Sequence, residues 1–245
     1  MILRFEEISN NAWPALQTLQ YDGWILRFAN GVTKRSNSVN PLYPSTLDID
    51  QKIDYCENIF RQKKIPPTFK ITPDSEPDDL DKVLEKRGYF IHCHVSFQVM
   101  ELSADAISPE ENVQMAYSPD ERWMDDFIRM NGFEQTRKST YIRIMEQIIT
   151  PKCLVSIKEK NKTIGVGLGV LEDRFLGLFD LVVDPEFRNR GLGARLVNSL
   201  LNWGLSQEAD TAYLQVLTDN LPAIRLYHKL GFKERYLYWY RLKTN

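Results

Sequence analysis

Residues 180–201 read DLVVDPEFRNRGLGARLVNSLL. The apolar, β-branched run Leu181–Val183 has strand character and stops at Asp184-Pro185, where proline removes a ladder donor. From Leu192 onward the apolar residues recur at helical spacing, which predicts a helix to Ser206. A short basic loop lies between, with Arg188, Gly191 and Gly193 in the spacing R-x-x-G-x-G. Glycine lets backbone approach an anion closely and adopt φ > 0. The first N–H groups of the following helix have no intrahelical partner and carry partial positive charge. Strand, glycine loop and helix start therefore make a phosphate cradle. The dinucleotide fingerprint G-x-G-x-x-G fails at Leu196, and no G-x-x-x-x-G-K-[ST] loop is present.

Downstream of the loop, the pattern predicts a strand at Ala212–Leu217, a helix at Leu221–Leu230 and a strand pair from Phe232. Upstream, residues 153–184 read as a three-strand meander turning at Asn161 and at Glu172-Asp173. Before it come helical patterns near Asp120–Met130 and Arg137–Ile149 and a strand at Val113–Tyr117. In the first half, residues 2–6 alternate as a strand would, and residues 8–20 look helical, with Ser9 or Asn10 as cap. Residues 23–42 read as strand, Asn30-Gly31 turn, strand. A helix follows, capped by Ser45 or Thr46, then a short strand at 67–72. Next come a helix over Asp78–Arg87 closed by Gly88 and a long strand from Tyr89. The polar, proline-containing segment Ser103–Asn112 predicts a boundary between domains 1–104 and 112–245. The order of elements repeats across it, and LEKRGYF (84–90) echoes YHKLGFK (227–233) in form.

The net charge of −2 gives no basic excess, which argues against a nucleic-acid surface. Cys56, Cys93 and Cys153 are too far apart for a metal or redox motif and read as reduced thiols of a cytoplasmic protein. The acids and asparagines of the opening residues do not suit a signal peptide. No apolar run approaches the roughly 20 residues that span a bilayer.

The R-x-x-G-x-G loop resembles the nucleotide-loop motif of the GNAT superfamily, the acyl-CoA-dependent N-acyltransferases. The stretch LQVLTDNLPAIRLYHKLGF (214–232) resembles the family's later motif of strand, Asn, helix with Tyr, then L-G-F. The resemblance covers residues 113–242, and the first half resembles the N-terminal halves of bacterial tandem-GNAT proteins. It implies an α/β fold of two GNAT-like mixed, mainly antiparallel sheets flanked by helices. It further implies an N-acetyltransferase moving acetyl from acetyl-CoA to a primary amine by direct attack in a ternary complex. By the same resemblance, Leu181, Val182 and Val183 pair with pantetheine. The amides of Asn189, Arg190, Gly191, Leu192, Gly193 and Ala194 hold the pyrophosphate, with Arg188 beside them. Asn220 caps the later helix and contacts the cofactor arm, and Tyr227 is general acid on the leaving thiolate.

The family's glutamate bases fall at positions occupied here by Gln215 and Gly177, neither of which accepts a proton; Asp180 or an ordered water takes that part. The first half's counterpart of the nucleotide loop, residues 40–52, has no glycine and carries Asp48 and Asp50, so that half should not bind CoA. It would instead wall the acceptor cleft through Arg35, Asn37 and Asn40. The expected acceptor is a small-molecule amine or a peptide. The alternatives are a non-catalytic acetyl-CoA-binding or interaction module, and a protein N-terminal acetyltransferase. His92 and His94 share a strand face but lack a third ligand, so no metal is expected. Trp123 and Tyr141 suit either the core or an acceptor wall.

Overall fold

A computed structural model of the chain describes residues 1–103 and 113–244. The chain forms two compact units: Met1–Ser96 together with the residues from Tyr236 on, and Phe97–Arg235. The first unit opens with helix α1 (Ile2–Ala12), followed by strands β1 (Gln17–Tyr21), β2 (Trp24–Phe28) and β3 (Val39–Pro41). Helix α2 (Ile49–Gln62), strand β4 (Thr68–Ile71), helix α3 (Leu80–Lys86) and strand β5 (Phe90–Glu101) follow, β5 crossing into the second unit. The second unit continues with β6 (Val113–Ala116), α4 (Glu121–Asn131), α5 (Lys138–Glu146), β7 (Lys152–Glu159), β8 (Lys162–Glu172) and β9 (Phe175–Val183). Then come α6 (Leu192–Ser206), β10 (Thr211–Leu217) and α7 (Leu221–Leu230). The last strand, β11 (Lys233–Leu242), returns to the first unit at Tyr236.

In the first unit β1, β2 and β3 pair antiparallel, β3 runs parallel to β4, and β11 pairs antiparallel with β4. The apolar core there gathers Trp24, Leu26, Phe60, Phe69 and Tyr89. In the second unit β6, β7, β8 and β9 pair antiparallel and β10 runs parallel to β9. Its core sets Leu192, Leu196, Leu200 and Trp203 of α6 against Leu176 and Leu178 of β9. The mixed α/β fold with mainly antiparallel pairing is the one expected.

Several local expectations give way. Residues 2–6 belong to a helix, because Phe5, Ile8 and Ala12 fall on one buried face at spacings of three and four. That helix ends by Trp13, and residues 17–20, expected as helix, belong to β1. A two-residue Asp22-Gly23 turn with φ of 43° and 83° closes β1 on β2, the chemistry of a tight hairpin. Helix α2 is capped by Asp48, whose carboxylate accepts from the Gln51 amide, and not by Ser45 or Thr46. A single strand replaces the pair expected from Phe232. Residues 104–112, in the expected boundary, lie outside the described residues; the two units divide within β5 and β11.

Candidate active site

In the second unit β9 and β10 pair from Phe175↔Thr211 to Leu178↔Leu214, and the pairing stops there. Beyond that point the β9 backbone continues its pairing with β8 to Val183. The β8–β9 register steps at the same place. Val166 faces Val182 and Leu168 faces Phe179, so Gly167 opposes both Asp180 and Leu181. This is a β-bulge, which adds a residue and re-aims the strand. Asp180 sits in the left-handed region at φ 50°, which aspartate tolerates better than most residues. Gly167 faces the bulge, and a Cβ there would come within 2.7 Å of Leu181 Cδ2, which would have to move. The backbone of Leu181–Val183 thereby lies beyond the β10 ladder, still paired with β8 through Val182 and Val183.

The loop beyond β9 is built on Asp184. Its carboxylate accepts from the Glu186 amide at 3.2 Å and starts a short 3₁₀ turn over Pro185–Phe187. The chain then passes through two left-handed residues, Asn189 at φ 62° and Gly191 at φ 76°. Alternation of this kind turns successive N–H groups towards one side, the form of an anion nest. Gly191 precedes α6 as its N-cap position, and no side chain caps that helix. Open space lies where a Cβ of Gly191 would be. A Cβ on Gly193 would meet Leu226 Cδ2 at 2.9 Å, so this glycine lets α6 and α7 close together. Arg188 donates through Nε to the Val183 carbonyl at 3.3 Å. Arg190 lies 4.8 Å from the Phe187 ring centroid and 3.8 Å from Glu159, so it serves the loop's own shape.

Underneath, α6 rests on a glycine row of β8. Cβ atoms at Gly165, Gly167 and Gly169 would come within 3.1 Å of Leu196, 3.4 Å of Leu200 and 3.0 Å of Leu200 respectively. The row brings the helix down onto the sheet and fixes the height of its N-terminus.

Asn220 caps α7, its Oδ1 accepting from the Ala223 amide at 3.3 Å. Tyr227, one turn from the end of α7, is half-buried and meets the Phe232 ring edge-on at 6.0 Å. Burial pushes its phenol up to about 12, so it keeps its proton across the physiological range. Gly177 is fixed by packing: a Cβ there would lie 2.5 Å from the Phe179 ring and 2.6 Å from the Tyr213 ring. A glutamate at 177 would displace the buried Tyr213, itself stacked on Phe97 at 5.5 Å.

The family described as "Probable histone acetyltransferase Rv0428c C-terminal" has a profile that matches residues 1–241. The chain belongs to that family. Over 99% of this chain and 98% of the other, it is 29% identical to the Bacillus subtilis protein named uncharacterized N-acetyltransferase YobR. A 57-residue stretch is 42% identical to the ribosomal protein bS18-alanine N-acetyltransferase of Salmonella typhimurium and covers 38% of that enzyme. A GCN5-related N-acetyltransferase from Kribbella flavida has the same fold, with a TM-score of 0.71 over 99% of this chain and 95% of that one, at 14% identity. So does a tandem GNAT protein from the clavulanic acid biosynthesis pathway, with a TM-score of 0.64 over 98% and 88%, at 12% identity. This member of the Rv0428c C-terminal family is an N-acetyltransferase of the GNAT superfamily.

The other candidates distribute differently. Trp123 and Tyr141 are core residues: the Trp123 indole donates to the Val155 carbonyl at 3.2 Å, and Tyr141 packs on Phe127 and Phe133. Asn37 of the first unit is buried and organises its own loop, accepting from the Ala29 and Gly31 amides. Asn40 is buried beside Ser38, and Arg35 lies 4.6 Å from the Trp13 ring centroid. His92 and His94 are exposed on β5, and no group of three metal-ligating side chains occurs among the described residues. No helix among them is long and apolar enough to cross a membrane. Sequence reasoning overlooked Gly167 and the supports of Asp184. A glycine at every second residue of β8 was the available signal for the first.

Proposed function

We propose that the second unit binds one acetyl-CoA per chain and transfers its acetyl group to a primary amine. The observation that carries this reading is the parting of β9 from β10 beside a left-handed loop that runs into the uncapped start of α6. A ligand with a pantetheine arm and a pyrophosphate matches both features. Peptide-like amides take the place of β10 along Leu181–Val183. Phosphate oxygens meet the N–H groups from Asn189 to Ala194, where the helix dipole favours negative charge. Arg188 and Asn220 flank the two ends. The amine nitrogen attacks the thioester carbonyl carbon, the C–N bond forms, and the C–S bond breaks. A backbone N–H near Val183 polarises the carbonyl oxygen. Tyr227 gives its proton to the departing sulfur, and Asp180 or a water accepts the proton from the amine.

The first unit has no such site on this reading. Its α2 carries the Asp48 cap, and the amides of Thr46 and Leu47 just before it already donate to the Asp22 carboxylate at 2.9–3.1 Å. Two carboxylates occupy the place where a phosphate would enter.

Calorimetric titration with acetyl-CoA tests the reading. One site per chain is expected. Gly191→Val meets no neighbouring atom but holds a β-branched residue at φ 76°, so it should keep the fold and lose binding. Two equivalent sites, or an unaltered affinity in the folded variant, would refute it.

A further inference from the structure

We propose that Asp184 is a positioning residue that sets the pyrophosphate loop through a clasp with Arg129 of α4 and Lys162 of β8. The inference rests on the acetyl-CoA reading of that loop. Asp184 is 3% exposed and ends β9, its own amide donating to the Ile164 carbonyl at 2.9 Å. One carboxylate oxygen, Oδ1, holds the Glu186 amide, and the other, Oδ2, holds Arg129 at 2.6 Å and Lys162 at 3.1 Å. Arg129 reaches further, donating to the Thr163 carbonyl at 2.8 Å and pairing with Asp126 at 3.1 Å. Lys162 also pairs with Glu186 at 2.9 Å and lies 5.1 Å from the Phe187 ring centroid. The base of the loop is thus tied to a helix and to a neighbouring strand, and its turn begins at the tied atom.

A carboxylate at the foot of a loop that takes an anion repels that anion, and a buried carboxylate costs desolvation besides. Burial pushes the Asp184 carboxyl up, but Arg129, Lys162 and the Glu186 amide outweigh it and hold it below the ordinary value. Three directed contacts at one group, from three segments, fix where the chain leaves the sheet. The N–H groups of Asn189–Ala194 converge on one point only if that departure is fixed.

Asp184→Asn separates positioning from charge. Its amide oxygen can still accept from Glu186, while the two ionic ties are lost. Side chains of Arg129 and Lys162 are 40% and 45% exposed, so both can turn to water and the fold should survive. Coulomb attraction alone predicts tighter acetyl-CoA binding once the negative charge is gone. Positioning predicts the opposite, a rise in Kd of tenfold or more. S-acetylpantetheine, which has no pyrophosphate, should bind wild type and variant equally. Unchanged or tighter acetyl-CoA binding would overturn the inference, and so would equal weakening of both ligands, which is what general loss of structure gives. If Asp184→Asn does not fold, Arg129→Lys keeps the charge but replaces the planar fork, whose Nη1 holds Asp184 and Nη2 the Thr163 carbonyl, by a single nitrogen on a shorter stem. A several-fold weaker acetyl-CoA affinity is then expected, and an unchanged one overturns the idea. A wild type that takes up no acetyl-CoA would sink the site and the inference with it. A wild type that binds, beside an Asp184→Asn that binds equally, would sink the inference alone.

Discussion

Tyr227 is a phenol whose burial pushes its pKa to about 12. The folded chain therefore holds that proton more tightly than the unfolded chain does. Its contribution to stability is complete below pH 10 and is lost as pH rises from there through 12. In the proposed reaction the same shift keeps this proton donor loaded, and alkaline loss of activity below pH 10 is expected to come from another group. With an amine found by screening for CoA release, Tyr227→Phe should lower kcat by about 10²–10⁴ and leave acetyl-CoA affinity nearly unchanged. Intact kcat with lower stability would make Tyr227 a packing residue beside Phe232. The place of Tyr227 on α7 was legible from the motif. The bulge at Asp180 was not, because a single aspartate in the left-handed region leaves no mark in the pattern of a strand. The same holds for Gly177: its neighbours Phe179 and Tyr213 explain why no base stands there, and that is a contact between two strands.

At the scale of elements, α6 and α7 were read to the residue. Each has an apolar stripe of helical period, and glycine stands at the start of one and the end of the other. Short strands were harder. Residues 17–21 carry little apolar signal and owe their strand to the Asp22-Gly23 turn that folds them onto β2. The α6–β8 contact depends on what glycine leaves out. Gly169→Ala would place a methyl 3.0 Å from Leu200 and 3.2 Å from the Trp203 ring, both buried. Overpacking of this kind costs about 1–3 kcal/mol. Denaturant unfolding should register that loss, and acetyl-CoA affinity should fall as the start of α6 shifts. Full stability in the variant would mean that the helix has slack above the sheet.

For the molecule as a whole, the first unit is assembled from both ends of the described chain. Tyr236 donates to Glu6 at 2.7 Å, and Glu6 in turn pairs with Lys70. Trp239 and Arg241 hold Asp81 at 2.7 and 2.8 Å, and β11 is the antiparallel partner of β4. No sequence pattern announced this, since the contacts join residues up to 230 positions apart. A chain ending at Arg235 should lose hydrogen-exchange protection at Phe69 and Ile71 while α6 stays protected. Persistent protection of β4 would show that β11 is dispensable there. On the ribosome the same closure imposes a wait. Glu6, Lys70 and Asp81 emerge early, yet the whole second unit must be synthesised before Tyr236 and Arg241 arrive. At roughly 5–20 residues per second that interval is on the order of ten seconds. The first unit is thus begun before the second and finished after it, and nascent chains stalled before residue 236 should offer it to chaperones without the partners that β11 brings.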